Sequence, residues 1–292
     1  AAQYNMGNLY DIGMEIPQDM KKAIYYYKLA SDNNVAKAQY NLGWIYSKGK
    51  SVKKNKSLAK KYYSLATQNG HIQSHTNLAL IYDKKNSDQS ELKEAIRLYT
   101  IAAEKDETTA MFNLALKYEN GIGVEKDISK AVDLLTEAAS LGHRSSQYNL
   151  GWMYKNGKGV KKNYEKAIKY YELASDQGDE LAQYNLGLLY HQGDGVKKDL
   201  KKAIELYLSA SENNVPKAQY NLGLIYKNGE GSKQDLKKAF NFFFLASQNN
   251  LPKAHYQLGL LYKNGKGIEQ NIEEAIKLLK LSASKGIDSS LK

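Results

Sequence analysis

The chain contains no cysteine, which excludes a disulfide framework, a thiolate nucleophile and a thiolate metal site, and leaves cytoplasmic, periplasmic and secreted locations all compatible with its composition. Arginine is nearly absent: Arg97 and Arg144 are the only two among 42 basic residues, although the net charge is +11. Specific phosphate and base-edge contacts lean on the guanidinium fork, whereas dispersed lysine serves as a solvated face, so the composition argues against a nucleic-acid partner. No apolar run approaches the roughly 20 residues that a bilayer-spanning helix needs, and no signal peptide is visible, so nothing points to a membrane partner. Phe (5) and Trp (2) are few beside 24 Tyr, so most of the aromatic content carries a polar tip. Proline is rare too, at 3.

What is present is repetition. The phrase Ala38-Gln-Tyr-Asn-Leu-Gly43 returns at Ala2, Ser146, Ala182, Ala218 and Ala254, with looser copies at Ser74 and Ala110. From Gly7 through Gly43, Ala79, Ala115, Gly151, Gly187 and Gly223 to Gly259, every step is 36 residues. A period of about 20 to 50 residues signals a solenoid, whose units bury their apolar faces by stacking on neighbours. Eight units, starting near residues 1, 37, 73, 109, 145, 181, 217 and 253, fill positions 1–292 without a seam and read as one elongated domain. The chain opens inside a helix pattern and stops where a ninth unit, Asp288 to Leu291, would begin, which reads as a fragment whose targeting segments and capping repeats lie outside it.

Within each unit, Leu42/Ile45/Tyr46 and their equivalents recur at helical spacing and predict an amphipathic helix A of about 12 residues. Tyr10, Tyr46, Tyr82, Tyr118, Tyr154, Tyr190, Tyr226 and Tyr262 share one position, as packing rings whose hydroxyls reach a polar edge. Gly13, Gly49, Gly121, Gly157, Gly193, Gly229 and Gly265 mark the end of helix A, with Lys85 standing in the third unit. A second glycine two residues on makes a G-x-G loop that lacks the preceding strand and longer glycine pattern of a nucleotide cradle. Asp19, Asn55, Glu91, Asp127, Asn163, Asp199, Asp235 and Asn271 are expected to cap a helix B, with alanines at two positions seven apart on its inner face. Asn34, Gly70, Asp106, Gly142, Gly178, Asn214, Asn250 and Gly286 close it. The expectation is sixteen helices, no strands and loops of constant length.

Ala182, Leu186, Gly187, Tyr190, Gly193, Gly195, Val196, Asp199, Ala203 and Ala210 together resemble the Sel-1-like repeat, a relative of the tetratricopeptide repeat, and the resemblance covers the whole chain. It implies an all-α, right-handed αα superhelix acting as an adaptor or scaffold, with helix A lining the concave face. Bacterial members are often exported, some as virulence factors acting on host proteins, and eukaryotic members serve in quality control and signalling. The third unit departs from the pattern: Lys85 and Ser87 replace both glycines and Asp88 replaces the valine. Local weakness is expected around Asp83 to Glu91.

A search for chemistry returns little. Along the sequence, none of the five histidines has a carboxylate at ligand or triad spacing, and His71 and His75, four apart, straddle a helix boundary. Repetition also argues against catalysis, because a catalytic constellation is a singular local departure; neither enzyme nor cofactor is expected. What remains is a ladder of amides, Asn5, Asn41, Asn77, Asn113, Asn149, Asn185 and Asn221, completed by Gln257. Asparagine is a mediocre helix former, so its mid-helix recurrence has a cause beyond the helix. Either each amide bonds a neighbouring element, or the amides face the groove and pair with an extended peptide, as the corresponding position does in some tetratricopeptide proteins. Tyr40, Tyr148, Tyr184 and Tyr220 precede ladder residues, and Trp44 and Trp152 follow three residues after Asn41 and Asn149, so that aromatic anchors stand beside adaptable amides. The predicted partner is therefore a protein or extended peptide. The alternative is an electrostatic edge for nucleic acid or anionic membrane, built from Lys53-Lys54, Lys161-Lys162, Lys197-Lys198, Lys201-Lys202 and Lys237-Lys238.

Overall fold

A computed structural model describes residues 1–14 and 16–286; the expected ninth unit at 288–291 lies outside the described residues. Sixteen α-helices and no strand occur among the described residues. Two compact units, Ala1–Ser146 and Gln147–Lys292, divide the chain. The first holds α1 (Ala2–Ile12), α2 (Met20–Asp32), α3 (Ala36–Lys48), α4 (Lys56–Gln68), α5 (Ile72–Tyr82), α6 (Gln89–Ala103), α7 (Thr108–Asn120) and α8 (Ile128–Ser140). The division falls within α9 (Arg144–Asn156), and the second unit continues through α10 (Tyr164–Asp176), α11 (Glu180–Gln192), α12 (Leu200–Glu212), α13 (Pro216–Asn228), α14 (Leu236–Gln248), α15 (Pro252–Asn264) and α16 (Ile272–Ala283). Odd-numbered helices are the A helices and even-numbered ones the B helices.

The B helices start where an acceptor side chain is available. Asp19, Asn55, Asp127, Asn163, Asp199, Asp235 and Asn271 each accept a hydrogen bond from the backbone N–H three residues on, which satisfies one of the orphan donors of the first turn. Every expected closing residue of helix B, Asn34 through Gly286, has positive φ. Both alanine rows are buried throughout, and in the last repeat Ser282 takes the alanine's place, its hydroxyl donating to the Pro252 carbonyl at 3.0 Å.

In five of the A helices the glycine packs against an aromatic ring of the B helix, and in the last repeat Gly259 packs against Leu279 instead. Gly7, Gly43, Gly151, Gly187 and Gly223 face Tyr27, Tyr63, Tyr171, Tyr207 and Phe243, which are among the largest fully buried side chains apart from Tyr63, itself 2% exposed. The second glycine of the loop serves the stacking of repeats. At Gly195, φ is +72° and an added Cβ would fall 2.2 Å from Cβ of Tyr164, the first residue of the preceding B helix.

The third repeat corrects two expectations. Its B helix is capped by Asp88, which accepts from the Glu91 N–H; Glu91 is the third helical residue and not the cap. Loop length also varies: α5 has 11 residues, α6 has 15, and the connection spans 83–88, against 49–55 in the repeat before it. With no glycine to turn the chain, α5 stops at Asp83 in an ordinary backbone conformation and Asp88 starts the next helix early. Side chains hold the connection together, the Ser87 hydroxyl donating to the Tyr82 carbonyl and accepting from the Lys84 N–H.

Candidate functional site

Ladder amides and aromatic residues meet across repeat boundaries. In the first unit, Tyr40 and Trp44 on α3 converge with Asn77 on α5 at a cleft of about 470 Å³. Ser47, Lys48, Lys54, Tyr63, Leu80 and Ile81 complete its lining, and no carboxylate is among them. Leu80 is 45% exposed, an apolar wall open to solvent. Tyr40 stacks on His71 at 4.5 Å between ring centroids and tilts against Tyr63 at 6.0 Å, which fixes its ring while leaving it half-buried. Lys50 lies over the Trp44 ring at 5.4 Å and pairs with Asp11 of the preceding repeat at 2.7 Å.

In the second unit the same pairing recurs one repeat at a time. The Tyr148 hydroxyl meets the Asn185 amide, Tyr184 meets Asn221, and Tyr220 meets Gln257. Asn221 also reaches the Tyr207 hydroxyl, as Asn41 reaches Tyr27 in the first unit. Burial pushes the Tyr148, Tyr184 and Tyr220 hydroxyls up from the ordinary phenol range, and the amide beside each works against that rise by donating to the oxygen. Asn185 donates in addition to the Leu181 carbonyl at 2.9 Å. Asn77, Asn113 and Asn149 are half-buried as well, and Asn113 does not line the cleft. An amide has one acceptor oxygen and two donor hydrogens, so one bond to a neighbour leaves capacity for another partner. Trp152 is 38% exposed.

One position missed by the sequence reading organises the A-helix ends. Residues 11, 47, 83 and 191 each bond the tyrosine hydroxyl sixteen residues on: Asp11 with Tyr27 at 3.3 Å, Ser47 with Tyr63 at 3.4 Å, Asp83 with Tyr99 at 3.2 Å and His191 with Tyr207 at 3.3 Å. The same residues reach the following repeat, Asp83 to Lys117 and His191 to Glu230 at 3.5 Å. That last contact gives one histidine a carboxylate neighbour across 39 residues, a separation outside any ligand or triad spacing. The signal was there as a second column of aromatic residues, Tyr27, Tyr63, Tyr99, Tyr171, Tyr207 and Phe243, at the same period.

The lysine pairs are partly committed to the fold. Lys202 donates to the Tyr190 hydroxyl at 2.7 Å and lies over its ring, and Lys238 and Lys162 lie over Tyr226 and Tyr164. Among the described residues, no group of acidic and histidine side chains could hold a metal ion, and no helix is long and apolar enough to cross a membrane.

Tandem helical pairs with a solvent-open seam of aromatic and amide side chains define an all-α repeat scaffold. The Sel1 repeat model matches residues 1–35, 36–71, 74–107, 108–143, 144–179, 181–215, 216–251 and 252–287, and the chain belongs to the Sel1 repeat family. Proteins of this family generally mediate protein–protein interaction. Among solved structures, c5321, a protective antigen of uropathogenic Escherichia coli strains with an SLR fold, is 29% identical with a TM-score of 0.90, covering 99% of this chain and 62% of its own. A Sel1 repeat protein from Oxalobacter formigenes is 28% identical with a TM-score of 0.72, covering 99% of this chain and 84% of its own. The chain thus spans less than two thirds of the antigen's length. No protein of curated function matches it.

Proposed function

We propose that the chain is a non-enzymatic scaffold that holds a protein partner, as an extended segment, along the seam of its A helices. The cleft that gathers Tyr40, Trp44 and Asn77 from consecutive repeats carries this reading: it joins a rigid aromatic floor, an exposed apolar wall and amide capacity in one place. Such a combination of aromatic anchors and adaptable polar groups is what concentrates binding energy at interfaces. Tyr148, Trp152, Tyr184, Asn185, Tyr220 and Asn221 extend the same arrangement in the second unit, and Asn41, Asn113 and Asn149 continue the ladder. Similarity to a protective antigen supports a host-interacting role as the finer reading. The electrostatic-edge alternative is less well supported, because three of its lysine pairs each give one member to a tyrosine ring.

The test is capture of partners by the intact chain, identification by mass spectrometry, and titration of the purified partner. Trp44→Ala is expected to weaken binding by roughly 30-fold, the size of a hot-spot truncation. Raising salt from about 50 to 200 mM should weaken it only a few-fold, since counterion release at many phosphates would cost about a thousandfold or more. Affinity that collapses with salt and ignores Trp44 would transfer the function to the lysine edge.

A further inference from the structure

The A-helix position that bonds the buried tyrosine changes sign between the two units. In the first it is Asp11, Ser47, Asp83 and Glu119; in the second it is Lys155, His191, Lys227 and Lys263. The two aspartates are satisfied within the fold: Asp11 by Lys50 and the Tyr27 hydroxyl, Asp83 by Lys117 and the Tyr99 hydroxyl. Among the described residues, no carboxylate pairs with Lys155 or Lys227. Their ammonium groups donate to neutral amide oxygens instead, Lys155 to Asn185 at 3.3 Å and Lys227 to Gln257 at 2.8 Å. Lys155 is half-buried, and desolvation holds its ammonium below the ordinary lysine range although Asp194 acts in the opposite direction from a distance. An ammonium in that setting gains from a counter-charge more than a fully solvated one does.

The fifth repeat shows a second deficit at the same place. The Tyr171 hydroxyl is buried and has no hydrogen-bond partner among the described residues, whereas its equivalents Tyr27, Tyr63, Tyr99 and Tyr207 all bond the residue sixteen earlier. For Tyr171 that residue is Lys155. An ammonium without a counter-charge and a hydroxyl without a hydrogen-bond partner thus stand at the two positions that bond each other in those repeats, near Tyr148 and Asn185 and with Lys155 one helical turn from the exposed Trp152.

We infer that the seam of residues 147–292 receives an acidic extended segment of a partner protein, with a side-chain carboxylate seated on Lys155 beside Asn185 and a second on Lys227. This rests on the reading of the seam as a peptide site and adds the chemistry of what it takes. A carboxylate on Lys155 supplies the acceptor that the aspartates supply in the first unit, and the tyrosines and Trp152 cover the apolar part of the segment.

The test pans a random dodecapeptide library on the intact chain. Asp and Glu should be enriched in the retained peptides beside an apolar or aromatic residue. For the tightest of these peptides, changing its Glu to Gln should weaken binding at least about tenfold on the parent chain, read from tryptophan emission. Lys155→Met should bind the Glu and Gln peptides alike, Lys155→Arg should still prefer Glu, and Lys201→Met, at an exposed position on α12, should behave as the parent. Apolar peptides without acidic enrichment would overturn the acidic assignment and leave the peptide site standing. Enrichment no greater than on uncoated support would overturn both. Equal losses from Lys201→Met and Lys155→Met would show diffuse attraction and overturn the seat at Lys155. Should Lys155→Met melt early, the Glu-to-Gln comparison on the parent chain still decides.

Discussion

Gly43 and Tyr63 are in contact with no room between them: a Cβ on Gly43 would fall 2.6 Å from Cδ1 of the ring. Both lie in the core of their repeat, Tyr63 with 2% of its surface exposed. Gly43→Ala sets a helix-propensity gain of about 0.5–1 kcal/mol against overpacking of about 1–3 kcal/mol. Net destabilisation of about 1 kcal/mol is expected in chemical denaturation. The fourth repeat has Ala115 and Leu135 at the equivalent positions, so Gly43→Ala with Tyr63→Leu should recover much of the loss. A single variant as stable as the parent would show that the ring can move aside.

Stability should have a plateau bounded by two buried residue types. Burial lowers the pKa of His71, His143 and His255 from the ordinary histidine value, so the unfolded chain binds protons more readily and stability falls as pH drops below about 6.5. Burial pushes the Tyr63 hydroxyl up to about 12 from 10.0 and raises Tyr27, Tyr99, Tyr171 and Tyr207 as well. Their contribution is complete below about pH 10 and is lost as pH rises through the folded values. Melting temperature against pH, followed together with phenolate absorbance, should show the second group ionising only as the helices melt. Free titration of all tyrosines near pH 10 with helicity intact would contradict the burial.

Asp83, the residue that ends α5, ties the start of the third repeat's connection to neighbouring helices. It accepts from Tyr99 and pairs with Lys117, so Asp83→Ala leaves two polar groups without a partner at a cost of about 1–3 kcal/mol. Hydrogen exchange around residues 83–91, expected to be the fastest among the internal A-to-B loops in the parent, should accelerate further. Exchange unchanged by the substitution would assign the loop's order to Ser87 and Asp88.

The ladder amides are expected to serve neighbours and partner together. Asn185→Ala and Asn221→Ala each remove a hydrogen bond to a tyrosine hydroxyl worth about 0.5–1.5 kcal/mol, offset by a few tenths from alanine's helix propensity. The triple variant with Asn149→Ala should melt several degrees below the parent and bind partner more weakly. Unchanged melting with weakened binding would reserve these residues for the partner; lower melting with unchanged binding would make them purely structural.

The repeat, its caps and its alanine faces were legible because they are local. A side-chain acceptor three residues before a free N–H, or a left-handed residue after a helix, depends on the immediate chain, and Asp19 and Asn34 could be read at sight. What the sequence hid was pairing across helices. Gly43 packs on Tyr63, and nothing in its own helix points to that ring. Glu91 occupied the cap position by register, and only the loss of the preceding glycine moved the cap to Asp88. The ladder showed that the amides had a cause without showing which: Asn221 turns to Tyr207 and Tyr184, while Asn185 shares its oxygen with Lys155. The contact of His191 with Glu230 depends on adjoining repeats and has no signature in motif spacing.

Polar ties within single repeats recur at a fixed offset: Asn33 donates to Gln3, Asn69 to Gln39, Gln177 to Gln147 and Asn249 to Gln219, each across 30 residues. Each tie joins the end of one B helix to the start of its own repeat's A helix, so a repeat carries both halves of its clasp. Duplication or excision of one 36-residue block in the gene would break no clasp and create no unmatched one. Repeat number can therefore change without losing any of these clasps, and the length of the proposed peptide seam would change with it.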